Sequence, residues 1–248
     1  MKQKTSAKII LLILGGILTI LLVILVTLPA LDRLVAVKVT TPAITEITQV
    51  PAPDKPEEVP VTVFYVMEKE SKKISSIYIE IFPVGKDTVT YLELPADTKV
   101  HLSDELYKSL QSYAPELPQY FKMAAMAESF STEYGMTGCN RIVSEVLGYS
   151  LTEYVRCDTE SWEEFRTLPG RELSEQAYFD AYASWIESTS SDRTEKERWI
   201  YYESRKKIEN VIVEKAPGTQ EKDGYLLSGK RSKERLEELI RQNTTVQR

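Results

Sequence analysis

The chain has 248 residues and a formal net charge of −6, with its 31 Lys and Arg residues spread along the length. That spread argues against nucleic acid as the main partner, because phosphate-backbone binding needs a concentrated basic face. The single histidine, His101, argues against a multi-histidine metal site and against histidine-centred catalysis.

Residues 9–31, IILLILGGILTILLVILVTLPAL, carry no charged side chain. At a helical rise of about 1.5 Å per residue they span roughly 30 Å, the thickness of a bilayer's hydrocarbon core. The run is longer than the apolar core of a cleaved signal peptide, and Asp32-Arg33-Leu34-Val35 does not resemble a cleavage site, so an uncleaved anchor is expected. Lys2, Lys4 and Lys8 precede the span with no acidic residue among them, which places a short tail, residues 1–8, in the cytoplasm. The rest of this single-pass membrane protein then lies outside the cytoplasm. Residues 32–60 read as a semi-rigid stalk, since 41–60 hold five of the twelve prolines. An α/β domain is expected over 61–216, followed by a charged C-terminal helix and tail over 217–248. Two cysteines, Cys139 and Cys157, are too few for a disulfide scaffold. Outside the cytoplasm they could pair; two buried thiols are the preferred reading.

The domain opens with strand patterns. VTVFYVM (61–67), ISSIYIEIF (74–82) and TVTYLEL (88–94) alternate in character, and Ile77, Ile79 and Ile81 share one face with Tyr78 and Glu80 on the other. Together they predict a meander. A short extended piece follows, ending at His101. Ser103 caps a helix over 104–113. The segment 121–135 reads as a helix stopped by Gly135, and 138–148 as another, preceded by Thr137 and ended by Gly148. A strand is expected over 151–158, a helix opened by Ser161 over 162–168, and a helix capped by Ser174 over 175–188. A long helix is expected over 193–216, capped by Asp192, and a peripheral, charged one over 230–242. Strands interleaved with helices predict an α/β fold.

Three stretches, in order, resemble one family. TVTYLELPADTKV (88–100) is similar to the strand-then-turn motif of the LytR-CpsA-Psr family, in which the strand ends in Pro-Arg-Asp-Thr. TGCNRIVSEVLGYSLTEYVRCDTESWEEF (137–165) resembles the family's next unit: a helix ending in Leu-Gly, a strand ending in Tyr-Val, and an aromatic start to the following helix. AYASWIESTSSDRTEKERWIYYESRKKI (181–208) resembles its C-terminal pair of helices, which carry Tyr-x-Arg-x-Arg, then Asp, then spaced arginines. The resemblance covers about residues 74–212. It implies a mixed β-sheet flanked by helices behind one transmembrane helix. It also implies transfer of a glycopolymer from a polyprenyl-pyrophosphate carrier to the bacterial cell wall, with arginines gripping the diphosphate, carboxylates holding magnesium and an apolar groove for the lipid.

The sequence departs from that pattern at its chemistry. Ala96 stands at the Arg of Pro-Arg-Asp-Thr, while Asp97 is kept. The family's earlier Arg-Ser-Asp-Thr motif, expected near residues 73–76, is Lys73-Ile74-Ser75-Ser76. Tyr182-Ala183-Ser184-Trp185 replaces Tyr-x-Arg-x-Arg, removing two guanidiniums. Asp192, Arg193 and Arg198 survive near the end, with Glu195 where one arginine is expected, and the stretch between 165 and 175 is shortened. The candidate site residues are therefore Asp97, as catalytic acid or magnesium ligand, and Arg193 and Arg198, as phosphate contacts. Against each stands an ordinary role: an Asx turn for Asp97 and a solvated helix face for the arginines. The favoured reading is a membrane-anchored component of envelope polymer assembly that has lost catalytic groups, needs no cofactor and binds polyprenyl-phosphate lipid or cell-wall glycan. The alternatives are a divergent active phosphotransferase using magnesium, and a structural protein-interaction module.

Overall fold

A computed structural model of the chain describes residues 59–82, 86–130, 135–151 and 153–244. The segment expected to span the membrane and most of the expected stalk lie outside the described residues. No helix among the described residues is long and apolar enough to cross a membrane. The three alternating segments form strands, β1 (Val61–Met67), β2 (Ile74–Ile81) and β3 (Thr88–Pro95), paired antiparallel as a meander. β4 (Lys99–His101) and β5 (Tyr120–Lys122) make a small antiparallel ladder. β6 (Glu153–Asp158) joins β1 in parallel, β7 (Ser190–Ser191) pairs antiparallel with β6, and β8 (Asn210–Lys215) joins β3 in parallel. A six-stranded mixed sheet results, in the order β7-β6-β1-β2-β3-β8. A hairpin of β9 (Gly218–Glu221) and β10 (Gly224–Leu227) follows.

The helices are α1 (Asp104–Gln111), α2 (Gly135–Leu147), α3 (Thr159–Thr167), α4 (Glu175–Ser188), α5 (Glu195–Arg205) and α6 (Gly229–Thr244). The period-2 alternation of the strands decides which helix covers which face. Val63, Tyr65, Ile77, Ile79, Ile81, Leu92 and Leu94 face one side, under α1, α2, α6 and a 3-10 helix, Met123–Ser129. Phe64, Val66, Tyr78, Val89 and Tyr91 face the other, under α3, α4 and α5. This is the expected α/β architecture, a mixed sheet flanked by helices. Its two buried layers differ in kind: one is aliphatic, the other aromatic. Cys139 and Cys157 are free, buried thiols in different layers.

Several local expectations are corrected. The helix predicted over 193–216 ends at Arg205, and its last third is β8, because the β-branched run Val211-Ile212-Val213 fits the pleated edge beside β3. Thr194 caps α5 through a reciprocal bond with Glu197, while Asp192 accepts the Tyr154 amide at 3.0 Å. The helix predicted over 121–135 is β5 followed by a 3-10 turn. There the Met123 and Ala124 amides donate to Thr98 O at 3.0 Å and Ala96 O at 2.7 Å, across to the β3–β4 turn. Asp158, not Ser161, caps α3, accepting the Ser161 amide at 2.7 Å. α2 begins at Gly135, ahead of Thr137, and runs through Gly138, where a Cβ would lie 2.3 Å from the Phe130 ring. The C-terminal helix is not peripheral: Leu236 and Leu239 are buried in the aliphatic layer.

Candidate functional site

Asp97 lies in the turn after β3. Its Oδ2 accepts the Gln220 side-chain amide at 2.9 Å, and its carbonyl accepts the Tyr225 amide at 3.0 Å, so the turn is stitched to the β9–β10 hairpin. The neighbouring carboxylates are already occupied. Lys99 Nζ binds Glu221 at 2.7 Å and Asp223 at 2.6 Å, holding the Asp223 carboxyl below its usual range through that bond. Magnesium does not fit this donor set. An ammonium sits among the acids, an amide donor faces Asp97, and no cluster of three metal-ligating side chains exists among the described residues.

Arg193 follows β7 and turns back to the starts of β1 and β6. Its Nη2 donates to Thr62 Oγ1 at 2.7 Å and to Glu153 Oε2 at 2.5 Å, and its guanidinium lies 4.3 Å from the Tyr201 ring centre. Arg198, on α5, donates Nη2 to the Ile186 carbonyl at 2.6 Å and to Thr189 Oγ1 at 2.5 Å. No carboxylate lies within ion-pair distance of it among the described residues, and its Nε is buried without a hydrogen-bond partner there. Burial lowers its pKa.

The strand register keeps these residues apart. Thr62 pairs with Glu80 and Glu80 with Tyr91, so Arg193 sits level with Tyr91. From Tyr91 to the end of β3 at Pro95 is about 13 Å of strand, and Asp97 lies beyond it. Arg198 is held at Thr189 beside the edge strand β7, four strands across the sheet from the β3 turn that carries Asp97, so the register and the strand order together keep Asp97 away from both arginines.

A different group of residues converges, and the motif reading missed it. Glu80 of β2 is fully buried, 0% exposed, and Arg205 of α5 is 2% exposed. Arg205 Nη1 and the Tyr201 hydroxyl both donate to the Glu80 carboxylate, and the Tyr91 hydroxyl donates to Glu80 Oε2 at 2.6 Å. Arg205 also donates to the Tyr91 and Tyr201 hydroxyls, each at 2.9 Å, and its guanidinium lies 4.1 Å from the Phe165 ring centre. Burial opposes the charge on Arg205, but the Tyr201, Tyr91 and Glu80 oxygens outweigh it and hold its pKa well above the usual range. Burial likewise pushes the Tyr91 and Tyr201 hydroxyls well up, so both remain donors. Every polar group here is answered by another, leaving the cluster closed and electrically balanced. The signal for it was a lone glutamate in a strand of isoleucines.

Rings fill the space around this cluster. Trp185 stacks on Phe165 at 4.2 Å, and Tyr78 stacks on Trp162 at 4.3 Å. In the stretch between α3 and α4, Gly170 turns the chain with φ +74°, and a notch of about 330 Å³ opens between Leu168, Arg171, Tyr178, Lys206 and Ile208.

No family model and no curated protein matches the chain. Solved structures do. TagV of B. subtilis is similar at TM-score 0.49 and 13% identity, over 77% of this chain and 98% of that one. TagT, described as a LytR-CPS2A-psr family protein and solved with octaprenyl pyrophosphate lipid bound, is similar at TM-score 0.47 and 12% identity, over 81% and 96%. Lin1025 of Listeria innocua is similar at TM-score 0.46 and 9% identity, over 75% and 99%.

Proposed function

We propose that this chain is a divergent LytR-CpsA-Psr-like protein, tethered to a bacterial cell membrane by residues 9–31 with its domain outside, which binds a lipid-linked glycopolymer or its carrier without transferring it. Separation is the observation that carries this reading. Phosphoryl transfer needs cations and a metal on the same few oxygens. The groups that the motif resemblance supplies are spread across the sheet, from the β7 edge to the turn after β3, and Arg193 is committed to Thr62 and Glu153. Removing charge-stabilising groups costs about 3 kcal/mol each in a water-poor site, so losing several costs many powers of ten in rate. Binding asks for less. Arg198 is a half-buried guanidinium without a carboxylate, and an anion beside it would offset the cost of its burial.

The test uses the full-length chain in mild detergent with a polyprenyl pyrophosphate, with and without magnesium. Binding is expected in both conditions, weakened about tenfold by Arg198→Ala, with no transfer of a lipid-linked glycan. Transfer abolished by Asp97→Asn would establish the active phosphotransferase instead. Absence of any lipid binding would favour the protein-interaction module.

A further inference from the structure

The sheet stops at β8, and among the described residues no strand pairs with the outer edge of β8. The Asn210 and Ala216 amides donate to Asp87 O at 2.9 Å and Glu93 O at 2.8 Å. Even-numbered residues thus turn their backbone toward β3, and Val211, Val213 and Lys215 present theirs to the open edge. The pairing with β3 runs from Asn210 to Lys215 without a bulge or a proline, the usual devices that blunt an edge. Ile212 is 48% exposed and Val213 43% exposed.

We propose that β8 pairs antiparallel with β8 of a second copy about a two-fold axis at Ile212, joining two sheets into one. The register follows from the backbone. Donors meet acceptors only where odd-numbered residues face odd-numbered ones. Centring on Ile212 pairs Val211 with Val213 through the backbone and brings the side chain of Glu209, which lies just ahead of β8 with its amide on Asp87 O at 2.7 Å, to Lys215, each twice by symmetry. Centring on Val213 would set Val211 against Lys215 and Ile212 against Glu214. Centring on Val211 would set Glu209 against Val213 and Lys207 against Lys215, a like-charge contact. Only the Ile212 register pairs apolar with apolar and acid with base. Glu209 and Lys215 are both exposed, and Lys215 rests on the Tyr225 ring, 4.8 Å away. This inference is independent of the proposed lipid binding.

The full-length chain in mild detergent is expected to sediment as a dimer. Val213→Pro, which removes one outward N–H and leaves the β3 ladder intact, should give a monomer with an unchanged melting profile. Glu209→Lys or Lys215→Glu alone should weaken the dimer about tenfold, and the two together should restore it. Ile212→Cys should form an intermolecular disulfide on mild oxidation, since residues on the axis lie about 4.5 Å apart at Cα; Val213→Cys should do so several-fold more slowly. A monomer at about 100 μM, a dimer indifferent to Val213→Pro and to charge reversal, or equal cross-linking at 212 and 213 would overturn the proposal. Indifference would leave the anchor or the stalk as the source of association.

Discussion

The two faces of the sheet are built on different principles. The aliphatic layer is filled mainly by Ile, Leu, Val and Met, and a buried polar contact within it is the Tyr65 hydroxyl on Asn140 at 2.7 Å. The aromatic layer encloses Glu80 and Arg205, the buried ionisable pair among the described residues, within a cage of rings and hydroxyls. The first depends on volume, which several side chains can supply. The second depends on direction: the donors around Glu80 each meet an acceptor, and deleting one partner strands another in a medium that cannot solvate it. Side chains of similar bulk therefore carry unequal consequences on the two faces.

The largest expected effect is on the aromatic side. Arg205→Ala should destabilise the domain by about 3–5 kcal/mol in denaturant titration, because Glu80 is left charged and buried. Replacing both partners, Glu80→Leu with Arg205→Met, should recover most of that loss; failure to recover would mean that the hydroxyls and not the ion pair hold the layer. On the aliphatic side Leu236→Ala should cost about 3 kcal/mol, and a cost below about 1 kcal/mol would return α6 to the periphery. Gly138→Ala should cost about 2 kcal/mol by pushing a methyl group into the Phe130 ring. Asp158→Ala should remove about 1 kcal/mol of helix cap. Bonds from the Ser161 backbone and hydroxyl hold the Asp158 carboxyl below its usual range. A depressed carboxyl contributes stability above the unfolded pKa, near about 3.9, and loses it as pH falls through the lower folded value. The acid limb of a melting-temperature profile should therefore flatten in Asp158→Asn, which keeps the cap.

What could be read from the residues was what is local. The meander needed only alternation, and α4 needed only Ser174 ahead of a run of helix formers; both were legible to the residue or nearly so. β8 was not, because Lys206 to Lys215 continues a plausible helical pattern and only an open place beside β3 makes it a strand. Glu80 and Arg205 lie 125 positions apart, so no window along the chain contains both. Motif order singled out Asp97, Arg193 and Arg198 but carries no distance, and the distance decides what the three can do together.

The last helix closes the molecule late. Lys86 Nζ reaches the Gln242 carbonyl at 3.3 Å across 156 positions, Arg235 grips Glu214 of the edge strand through two bonds, each within 2.9 Å, and Leu236 and Leu239 complete the aliphatic layer. Such distant contacts form slowly, because the intervening chain must first be ordered. Nascent chain shorter than about residue 229 has every strand of the sheet, with α1, α2 and the 3-10 helix over that layer, and still lacks the cover that Leu236 and Leu239 supply. During biosynthesis it would present part of that apolar layer to its surroundings until α6 has emerged, an interval in which a holding chaperone has something to bind.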